Sequence, residues 1–233
     1  MKVVILCGGL GTRLAEETHI KPKPMVKVGN KPMLSHITQI YEKNGFNEFI
    51  LALGYKSHII KKYYFRKKNK SKIHPVYTGK NTLTGGRLLR LKNFFKKGEN
   101  FMVTYGDGLT NQNIKKLLKF HIKHKKIATM TVVRPPVRFG EAILKKNKIK
   151  KFREKFQNTT GWINGGFFVF NYKIFDFIKG DLIMLEREPL QKLASTGQLM
   201  AFKHTGFWQC MDTMRDKKFL HNLYKTKKAP WIK

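Results

Sequence analysis

The sequence predicts a single α/β domain built on a parallel sheet, and three observations lead to this prediction. The run VVILC at positions 3–7 is apolar, contains β-branched residues and ends at two glycines, as a buried strand entering a loop does. Strand and helix patterns then alternate along the chain, which favours parallel strands joined by right-handed crossovers. A length of 233 residues with 41% apolar content suits one large domain.

The loop after this first strand has the composition of a phosphate-binding loop. The glycines of LCGGLGTRL lack a Cβ, so the backbone can approach a ligand closely and present successive amide N–H groups to an anion. Arg13 adds a forked cation, and Lys23 stands between the two prolines of KPKPM. ATPase loops need GxxxxGK[ST], which is missing, and the dinucleotide pattern GxGxxG meets Leu14 at its third glycine. A plain glycine turn is the alternative.

The following elements appear in the order of repeated strand–helix units. Apolar residues at helical spacing follow Pro32 and end at Asn44-Gly45, which predicts a helix. A second buried strand is predicted at 49–53, a helix at 57–65, and a charged connector from Arg66 to Lys72. A strand at 101–104, a helix at 114–122 and a strand at 127–133 complete this half.

A second glycine-containing loop, YTGKNTLTGGR at 77–87, opens a predicted helix whose apolar residues run to Phe95. A helix N-terminus behind Thr84 and two glycines offers exposed donors and room for a flat base. Arg87 and nearby amides can satisfy the acceptors O2 and N3 of cytosine, whereas uracil carries a donor at N3. The loop therefore favours CTP, and the alternative is an N-cap followed by a solvent-facing arginine.

Asp107 is a candidate metal ligand in a chain that has only 14 acidic residues. Asp107 lies between two glycines after the strand at 101–104, at the strand end where ligands bind in open α/β sheets. Asp212 precedes a final helix that begins near Thr213. Carboxylates suit Mg²⁺, which binds through one or two of them and substrate phosphates. A turn role is the alternative for Asp107, whereas the sequence around Asp212 favours a cap of the final helix.

The net charge of +34 formally suggests a nucleic-acid partner, but most basic residues are lysines spread along the chain. No nucleic-acid-binding motif accompanies them, so no specific nucleic acid is predicted. No apolar run approaches a membrane span and no signal peptide is recognised, so a cytoplasmic protein without a membrane partner is expected. His121 and His124 sit among lysines and are expected to be solvated, and the tail ending in APWIK is expected at the surface.

These motifs together support a family resemblance. LCGGLGTRL followed by KPKPM resembles the signature of sugar-phosphate nucleotidyltransferases, and TGGRL, TYGDG, INGGFFV and FWQCMDTMRD resemble their glucose-1-phosphate cytidylyltransferase branch. The resemblance implies one domain with a Rossmann-like mixed sheet and helices on both faces, the nucleotide-diphospho-sugar transferase fold. It divides residues 1–233 into a nucleotide-binding half at about 1–134, a sugar-binding half at about 135–212 and a C-terminal helix at 213–226.

The resemblance also implies substrates and site residues. The reaction is CTP plus glucose 1-phosphate giving CDP-glucose and pyrophosphate, with Mg²⁺ as cofactor on Asp107 and Asp212. Arg13 and Lys23 would be catalytic. The remaining nucleotide-binding residues would be Leu6, Cys7, Gly8, Gly9, Leu10, Gly11, Thr12, Thr82, Arg87 and Gly106, and the sugar-phosphate-binding residues would be Gly140, Glu154, Lys155, Asn164 and Gly165.

Two departures from the family pattern qualify these expectations. Phe156 stands where the family's Glu-Lys-Pro motif has proline, which loosens the backbone beside Lys155 and puts affinity in question. The connector from Arg66 to Lys72 is shorter than in the family by roughly twenty residues. A homo-oligomer is expected, smaller or weaker than usual, because contacts are missing and like charges repel.

Overall fold

The computed structural model describes residues 1–65, 70–135, 141–153 and 161–232, and for 141–144, 152 and 153 the backbone alone. The strands are β1 (Lys2–Cys7), β2 (Lys27–Val28), β3 (Lys31–Pro32), β4 (Glu48–Leu53), β5 (Lys72–Tyr77), β6 (Asn100–Tyr105), β7 (Gly108–Thr110), β8 (Ala128–Val133), β9 (Glu141–Lys145), β10 (Lys148–Arg153), β11 (Ile163–Asn171), β12 (Leu199–His204) and β13 (Trp208–Cys210). The helices are α1 (Ala15–Thr18), α2 (Met33–Lys43), α3 (Ser57–Phe65), α4 (Thr84–Leu89), α5 (Ile114–His124), α6 (Glu188–Ser195) and α7 (Met214–Lys225).

Seven strands form one mixed sheet in the order β12-β8-β11-β6-β1-β4-β5. β1 lies in the interior and pairs in parallel with β4 and with β6. β11 runs antiparallel to both of its neighbours, β6 and β8, while β12 is parallel to β8 and β5 to β4. The mixed α/β sheet predicted from the resemblance is therefore confirmed.

The sheet is covered on both faces, because residues alternate between the two faces along each strand. On one face Val3 and Ile5 pack in a core with α2 and α7 residues, including Leu34 and Leu220. On the other face Val4 joins a second core that contains the following residues of the α4 and α6 region: Leu88, Leu91, Leu190 and Leu193. No helix among the described ranges is long and apolar enough to cross a membrane.

Three expectations need correction. The helix opened by the second glycine loop ends at Leu89 and is followed by a separate 3-10 turn at Lys92–Phe94. Part of the C-terminal tail is buried, and Trp231 is 3% exposed because its Nε1 donates a hydrogen bond to His36 Nδ1 (3.2 Å) and its ring stacks on Phe207, whereas Ile232 is 40% exposed. His121 is 2% exposed and not solvated, because α5 turns it toward β8, where it contacts Thr129.

The direction of the strands creates two distinct edges. The carboxyl ends of β1, β4, β5 and β6 meet at one edge, where β11 begins. The amino ends of β6, β8 and β12 meet at the opposite edge, where β11 ends. Each edge carries a cavity, and the two differ in charge and in the partners of their side chains.

Candidate active site

A cavity of about 520 Å³ opens at the carboxyl edge of the sheet. Its size falls within the range of small-molecule sites. Most of the residues predicted from the sequence lie around it, although they come from separate parts of the chain. These lining residues are Leu6, Cys7, Gly8, Gly9, Gly11, Thr12, Arg13, Lys23, Thr82, Arg87, Gly106, Asp107 and Asn164.

The glycine loop leaves β1 and passes directly into a 3-10 turn at Thr12–Leu14. Gly11 has φ 69°, a left-handed conformation that a residue with a Cβ adopts only with strain. Thr18 holds the loop by donating through Oγ1 to the carbonyl oxygen of Gly11 (3.0 Å), and the buried Leu14 anchors the end of the turn. The loop backbone is thus fixed beside the cavity, as a pre-formed anion cradle requires.

Lys23 joins two carboxylates that are far apart in sequence. Its Nζ donates to Asp107 Oδ2 (2.6 Å) and to Asp212 Oδ1 (2.5 Å), and the lysine is 9% exposed. Asp107 follows β6, and Asp212 follows β13, which pairs with β7 and so returns the chain to the site. The structure therefore brings both predicted metal ligands to one ammonium group.

Charge pairing governs the ionisation of this trio. Burial acts to lower the pKa of Lys23, but the charges and hydrogen bonds of Asp107 and Asp212 outweigh it and raise that pKa above its usual value. Burial acts to raise the pKa of Asp212, but Lys23 and Arg13 lower it. Both groups stay charged near neutral pH, so the site presents fixed ions and not a proton donor.

The cap alternative for Asp212 is wrong. The N-cap of α7 is Thr213, whose side chain accepts from the backbone N–H of Asp216, while the Asp216 carboxylate accepts from the backbone N–H of Thr213 (2.9 Å). This reciprocal pair is a capping box, so the helix start needs no help from Asp212. The Asp212 carboxylate instead contacts Lys23 and Arg13, whose NH1 lies 2.7 Å from Oδ2.

Arg13 and Lys23 differ in their freedom to move. The Arg13 side chain is 73% exposed although its guanidinium contacts Asp212, whereas the Lys23 side chain is 11% exposed. An exposed guanidinium can exchange a carboxylate partner for a phosphate, which it also binds in a forked geometry. Lys23 is held in place by two carboxylates.

Arg87 is buried, contrary to the solvent-facing alternative. Its NH1 donates to the carbonyls of Leu53 (3.2 Å) and Gly79 (2.6 Å) and to a threonine hydroxyl, and its NH2 donates to the carbonyls of Gly8 (3.0 Å) and Lys80 (3.2 Å). One guanidinium thus ties together the glycine loop, the end of β4 and the 78–80 segment. Because these donors already have protein partners, contact between Arg87 and cytosine stays a prediction.

The cavity also contains a polar network that sequence reasoning missed. Glu186 accepts hydrogen bonds from the hydroxyls of Tyr105 (2.5 Å) and Thr84 (2.6 Å). Asn164 Nδ2 donates to the same Tyr105 hydroxyl (3.0 Å), which links the start of β11 to Glu186. Burial and the nearby Glu186 raise the pKa of Tyr105, so its hydroxyl remains a donor. The scarcity of acidic residues is the only sequence signal that could have singled out Glu186.

Some predicted residues lie elsewhere or outside the described ranges. Leu10 is 51% exposed and Gly165 does not line the cavity; its carbonyl accepts from Trp208 Nε1 (2.7 Å). Gly140, Glu154 and Lys155, predicted for the sugar phosphate, lie outside the described residues. Of the residues predicted for the sugar phosphate, Asn164 alone therefore lines the cavity among the described residues.

The donor set at the cavity suits a hard divalent cation. Asp107 and Asp212 supply oxygen ligands only, and the contacts of both with Lys23 Nζ demonstrate that the position between them stabilises positive charge. Mg²⁺ typically takes one or two carboxylates and completes its coordination with phosphates and water. Among the described residues no cluster of three or more histidine, cysteine, aspartate or glutamate ligands occurs.

Comparisons with known proteins agree with this architecture. The family described as nucleotidyl transferase matches residues 2–209. The chain is 44% identical to glucose-1-phosphate cytidylyltransferase of Salmonella typhimurium, covering 99% of this chain and 98% of that protein. It is 34% identical to mannose-1-phosphate guanylyltransferase catalytic subunit beta of Dictyostelium discoideum, covering 96% and 64%.

Solved structures share the fold. The structure of HddC from Yersinia pseudotuberculosis complexed with GMP-PN superposes with a TM-score of 0.76 at 27% identity, covering 96% of this chain and 99% of that one. Residues 2–209, which the family model matches, contain the glycine loop, Lys23, Asp107 and the start of β11. All residues that line the cavity therefore lie within the segment matched by the family. The chain therefore belongs to the nucleotidyl transferase family.

Proposed function

We propose that this protein transfers a cytidylyl group from CTP to glucose 1-phosphate and releases pyrophosphate and CDP-glucose. The observation that carries the proposal is the convergence of the glycine loop, Lys23 and Asp107 at one cavity, with Asp212 bonded to Lys23 beside it. The relative from Salmonella typhimurium, matched over nearly its whole length, supports the choice of base and sugar.

The reaction needs no protein nucleophile. An oxygen of the sugar phosphate attacks the α-phosphorus of CTP, and the bond from that phosphorus to the bridging oxygen of the leaving pyrophosphate breaks. The attacking phosphate is already ionised at neutral pH, so no general base is required. The chain contributes position and electrostatic stabilisation, which dominate catalysis of phosphoryl chemistry.

The basic residues have separate tasks in this scheme. The amides of the glycine loop and the exposed guanidinium of Arg13 bind the departing pyrophosphate. Lys23, held by its two carboxylates, stabilises charge that develops around the α-phosphate. Arg87 acts indirectly, because it fixes the loops that line the nucleotide side of the cavity.

Asp107 and Asp212 would hold Mg²⁺. When bound, the ion would neutralise phosphate charge and orient the triphosphate. Lys23 contacts both carboxylates, and Lys23 and Arg13 lower the pKa of Asp212, so that carboxylate keeps its negative charge. An ionised carboxylate binds a metal without first losing a proton.

Sugar recognition is assigned to the other side of the cavity. Asn164, held by the Tyr105 hydroxyl, offers an amide to sugar hydroxyls. Glu154, Lys155 and Gly140 are proposed for the sugar and its phosphate on the basis of the resemblance.

The wider context follows from the same proposal. A nucleotide-sugar enzyme of this kind would act in the cytoplasm and supply CDP-glucose for O-antigen-type polysaccharides. The alignment with the Salmonella relative spans 253 positions, whereas this chain has 233 residues, so this chain lacks residues that the relative has. Because contacts made by such residues would be missing, we infer a homo-oligomer that is smaller or weaker than usual. Light scattering that detects a tight hexamer at low ionic strength would contradict this inference.

One assay tests the proposed function. Release of pyrophosphate is measured with CTP, UTP, dTTP and GTP in turn, each with glucose 1-phosphate and Mg²⁺. The proposal predicts clear preference for CTP and formation of CDP-glucose. Preference for UTP or dTTP would show that the proposed base is wrong and that the proposed class of reaction is right. Absence of turnover with every nucleotide would contradict the proposed enzymatic function.

A further inference from the structure

A second cavity, of about 670 Å³, lies at the opposite edge of the sheet. It is bordered by the amino ends of β6, β8 and β12 and by the end of α5. Four lysines line it: Lys125, Lys126, Lys173 and Lys192. None of its lining residues is acidic. Glu99, next to the lining residue Asn100, has its carboxylate bonded to Lys2 Nζ and to the backbone N–H of Lys96.

A chain of hydrogen bonds ends at the wall of this cavity. The backbone N–H of Lys126 donates to His124 Nδ1 (2.9 Å), so the neutral His124 ring carries its proton on Nε2. That N–H donates to Thr129 Oγ1 (2.6 Å). Thr129 is fully buried and its hydroxyl has no other acceptor among the described residues, so it donates to His121 Nδ1 (2.9 Å). His121 Nδ1 is therefore an acceptor.

The hydrogen-bond chain fixes the proton of His121 on Nε2. His121 is 2% exposed, lines the cavity and has no partner at Nε2 among the described residues. Burial and the neighbouring His124 lower the pKa of His121 to about 4, so the ring is neutral at pH 7 and keeps this tautomer. Nε2 is not among the fully buried side-chain atoms that lack a partner, so it reaches the cavity, where its N–H can donate to a ligand or to water.

We propose that this cavity is a second anion-binding site that takes a group of at least two linked phosphates. His121 Nε2–H donates to a phosphate oxygen inside the cavity, and the four lysines around the mouth neutralise the charge. Four cations exceed what one phosphate needs, and the volume suits a small molecule. The group is either inorganic pyrophosphate or the diphosphate of a nucleotide.

The site is independent of the proposed cytidylyl transfer. It lies at the other edge of the sheet, shares no lining residue with the catalytic cavity, and uses the buried histidine that the transfer reaction leaves without a role. Because pyrophosphate and nucleotides also bind the catalytic cavity in our proposal, the test must observe His121 itself.

The first experiment records ¹⁵N–¹H spectra of the histidine rings in the full-length protein at neutral pH. The free protein should exhibit His121 with its proton on Nε2. Addition of pyrophosphate or cytidine 5′-diphosphate should shift that signal in a saturable way, and orthophosphate should bind at least about tenfold more weakly. Tighter binding of the nucleotide would identify it as the ligand, and equal or tighter binding of pyrophosphate the inorganic ion. An unmoved His121 signal with both would overturn the proposal.

The second experiment separates a built site from general attraction to a basic surface. The double variant Lys173→Ala/Lys192→Ala should weaken the His121 response about tenfold or more, with turnover unchanged. The control Lys61→Ala/Lys62→Ala removes two exposed lysines from a different cavity and should leave the response unaltered. Equal weakening in both variants would overturn the site.

A third variant tests the hydrogen-bond chain without changing charge. Thr129→Val keeps the side-chain shape but removes the hydroxyl that donates to His121 Nδ1. The His121 proton is then free to move to Nδ1, so anion affinity should fall several-fold while the protein still melts cooperatively. Unaltered affinity together with an unaltered tautomer would contradict the role given to His121.

Discussion

The two edges of the same sheet handle charge in opposite ways. At the carboxyl edge, Lys23 is enclosed by Asp107 and Asp212 at hydrogen-bond distance, and a further acid, Glu186, is bound by two hydroxyls. At the amino edge, exposed lysines surround the buried ring of His121, and no acid lines the cavity. One edge has paired ions in a fixed geometry, and the other has lysines that form no ion pair within the part of the chain that the structure describes, around one oriented donor.

This difference shows which residues are informative in so basic a chain. With 48 basic and 14 acidic residues, a lysine on the surface says little, whereas an acid inside a cavity has been placed against the trend of the composition. Paired ions can position a substrate, while unpaired exposed lysines mainly attract one. Catalysis is therefore expected at the carboxyl edge and binding alone at the amino edge.

The largest effect is expected from Lys23→Met, which removes the shared cation of the carboxyl edge. The rate of cytidylyl transfer should fall by about a hundredfold or more, because charge at the α-phosphate loses a fixed partner. Thermal stability should also fall, since Asp107 and Asp212 then repel each other.

Lys21→Met is the matched control, because Lys21 pairs with Glu17 outside the cavity. Its turnover should stay close to that of the unmodified protein. Binding of pyrophosphate observed at His121 should survive in both variants. Loss of the pyrophosphate response of His121 in Lys23→Met would contradict the claim that the two cavities bind their ligands independently.

A smaller effect is expected from Arg87→Lys, which keeps the charge but loses the fork that reaches several carbonyls. The KM for nucleotide should rise about tenfold, and by a similar factor for CTP and for UTP. The reason is that the loops around the nucleotide shift, while no contact with the base is lost. Arg90→Lys, at an exposed ion pair with Asp181, is the control. A loss confined to CTP would instead favour direct reading of cytosine by Arg87.

Glu186→Gln tests the network that holds Asn164. An amide can accept from only one of the hydroxyls of Tyr105 and Thr84, so Asn164 loses its orientation. The KM for glucose 1-phosphate should rise roughly fivefold to tenfold with little change in kcat. The exposed Glu188→Gln is the matched control. A rise of the same size in the KM for CTP, with the KM for glucose 1-phosphate unchanged, would instead assign Glu186 to nucleotide binding.

The smallest effect is expected for the pH dependence of stability and concerns His36, a buried histidine in which both ring nitrogens form hydrogen bonds within the protein. His36 Nε2 donates to the Val28 carbonyl (2.9 Å) and its Nδ1 accepts from Trp231, so neither nitrogen serves a ligand, in contrast to His121. Burial lowers the pKa of His36 below its usual value. The unfolded chain therefore takes up the proton first, and stability is kept above about pH 6.5 and lost as the pH falls below it.

The variant His36→Gln keeps a donor and an acceptor but does not titrate. Thermal melts of this variant should depend less on pH below about 6.5 than those of the unmodified protein. Identical pH dependence in the two would exclude His36 as a source of acid sensitivity.

Local motifs explain what the sequence could predict. The conformations of the glycine loop and of β1 are set by residues that are adjacent in sequence, so both could be predicted. The direction of the strand before Asp107 then predicted that this residue lies at the carboxyl edge of the sheet, where ligands bind. Asp212 was recognised by resemblance alone, since its own surroundings in sequence suggested a helix cap.

The rest depends on contacts between distant residues. Glu186 meets Tyr105 and Thr84 across 81 and 102 positions, and Trp231 meets His36 across 195. Such pairs are set by how helices pack on the sheet, which no local pattern encodes. His121 looked solvated because its neighbours in sequence are lysines, although α5 turns it toward β8.

The most direct test of the catalytic account is the dependence of initial rate on Mg²⁺ for Asp107→Asn, Asp212→Asn and the double variant, with thermal melts in parallel. Asp216→Asn serves as the control, because Asp216 belongs to the capping box of α7 and should affect stability by about 1 kcal/mol without a comparable effect on rate.

If both carboxylates serve one ion, each single variant should lose about a hundredfold in rate and the double variant little more. Near-normal turnover in Asp107→Asn, or small additive losses with unchanged Mg²⁺ dependence, would contradict the account.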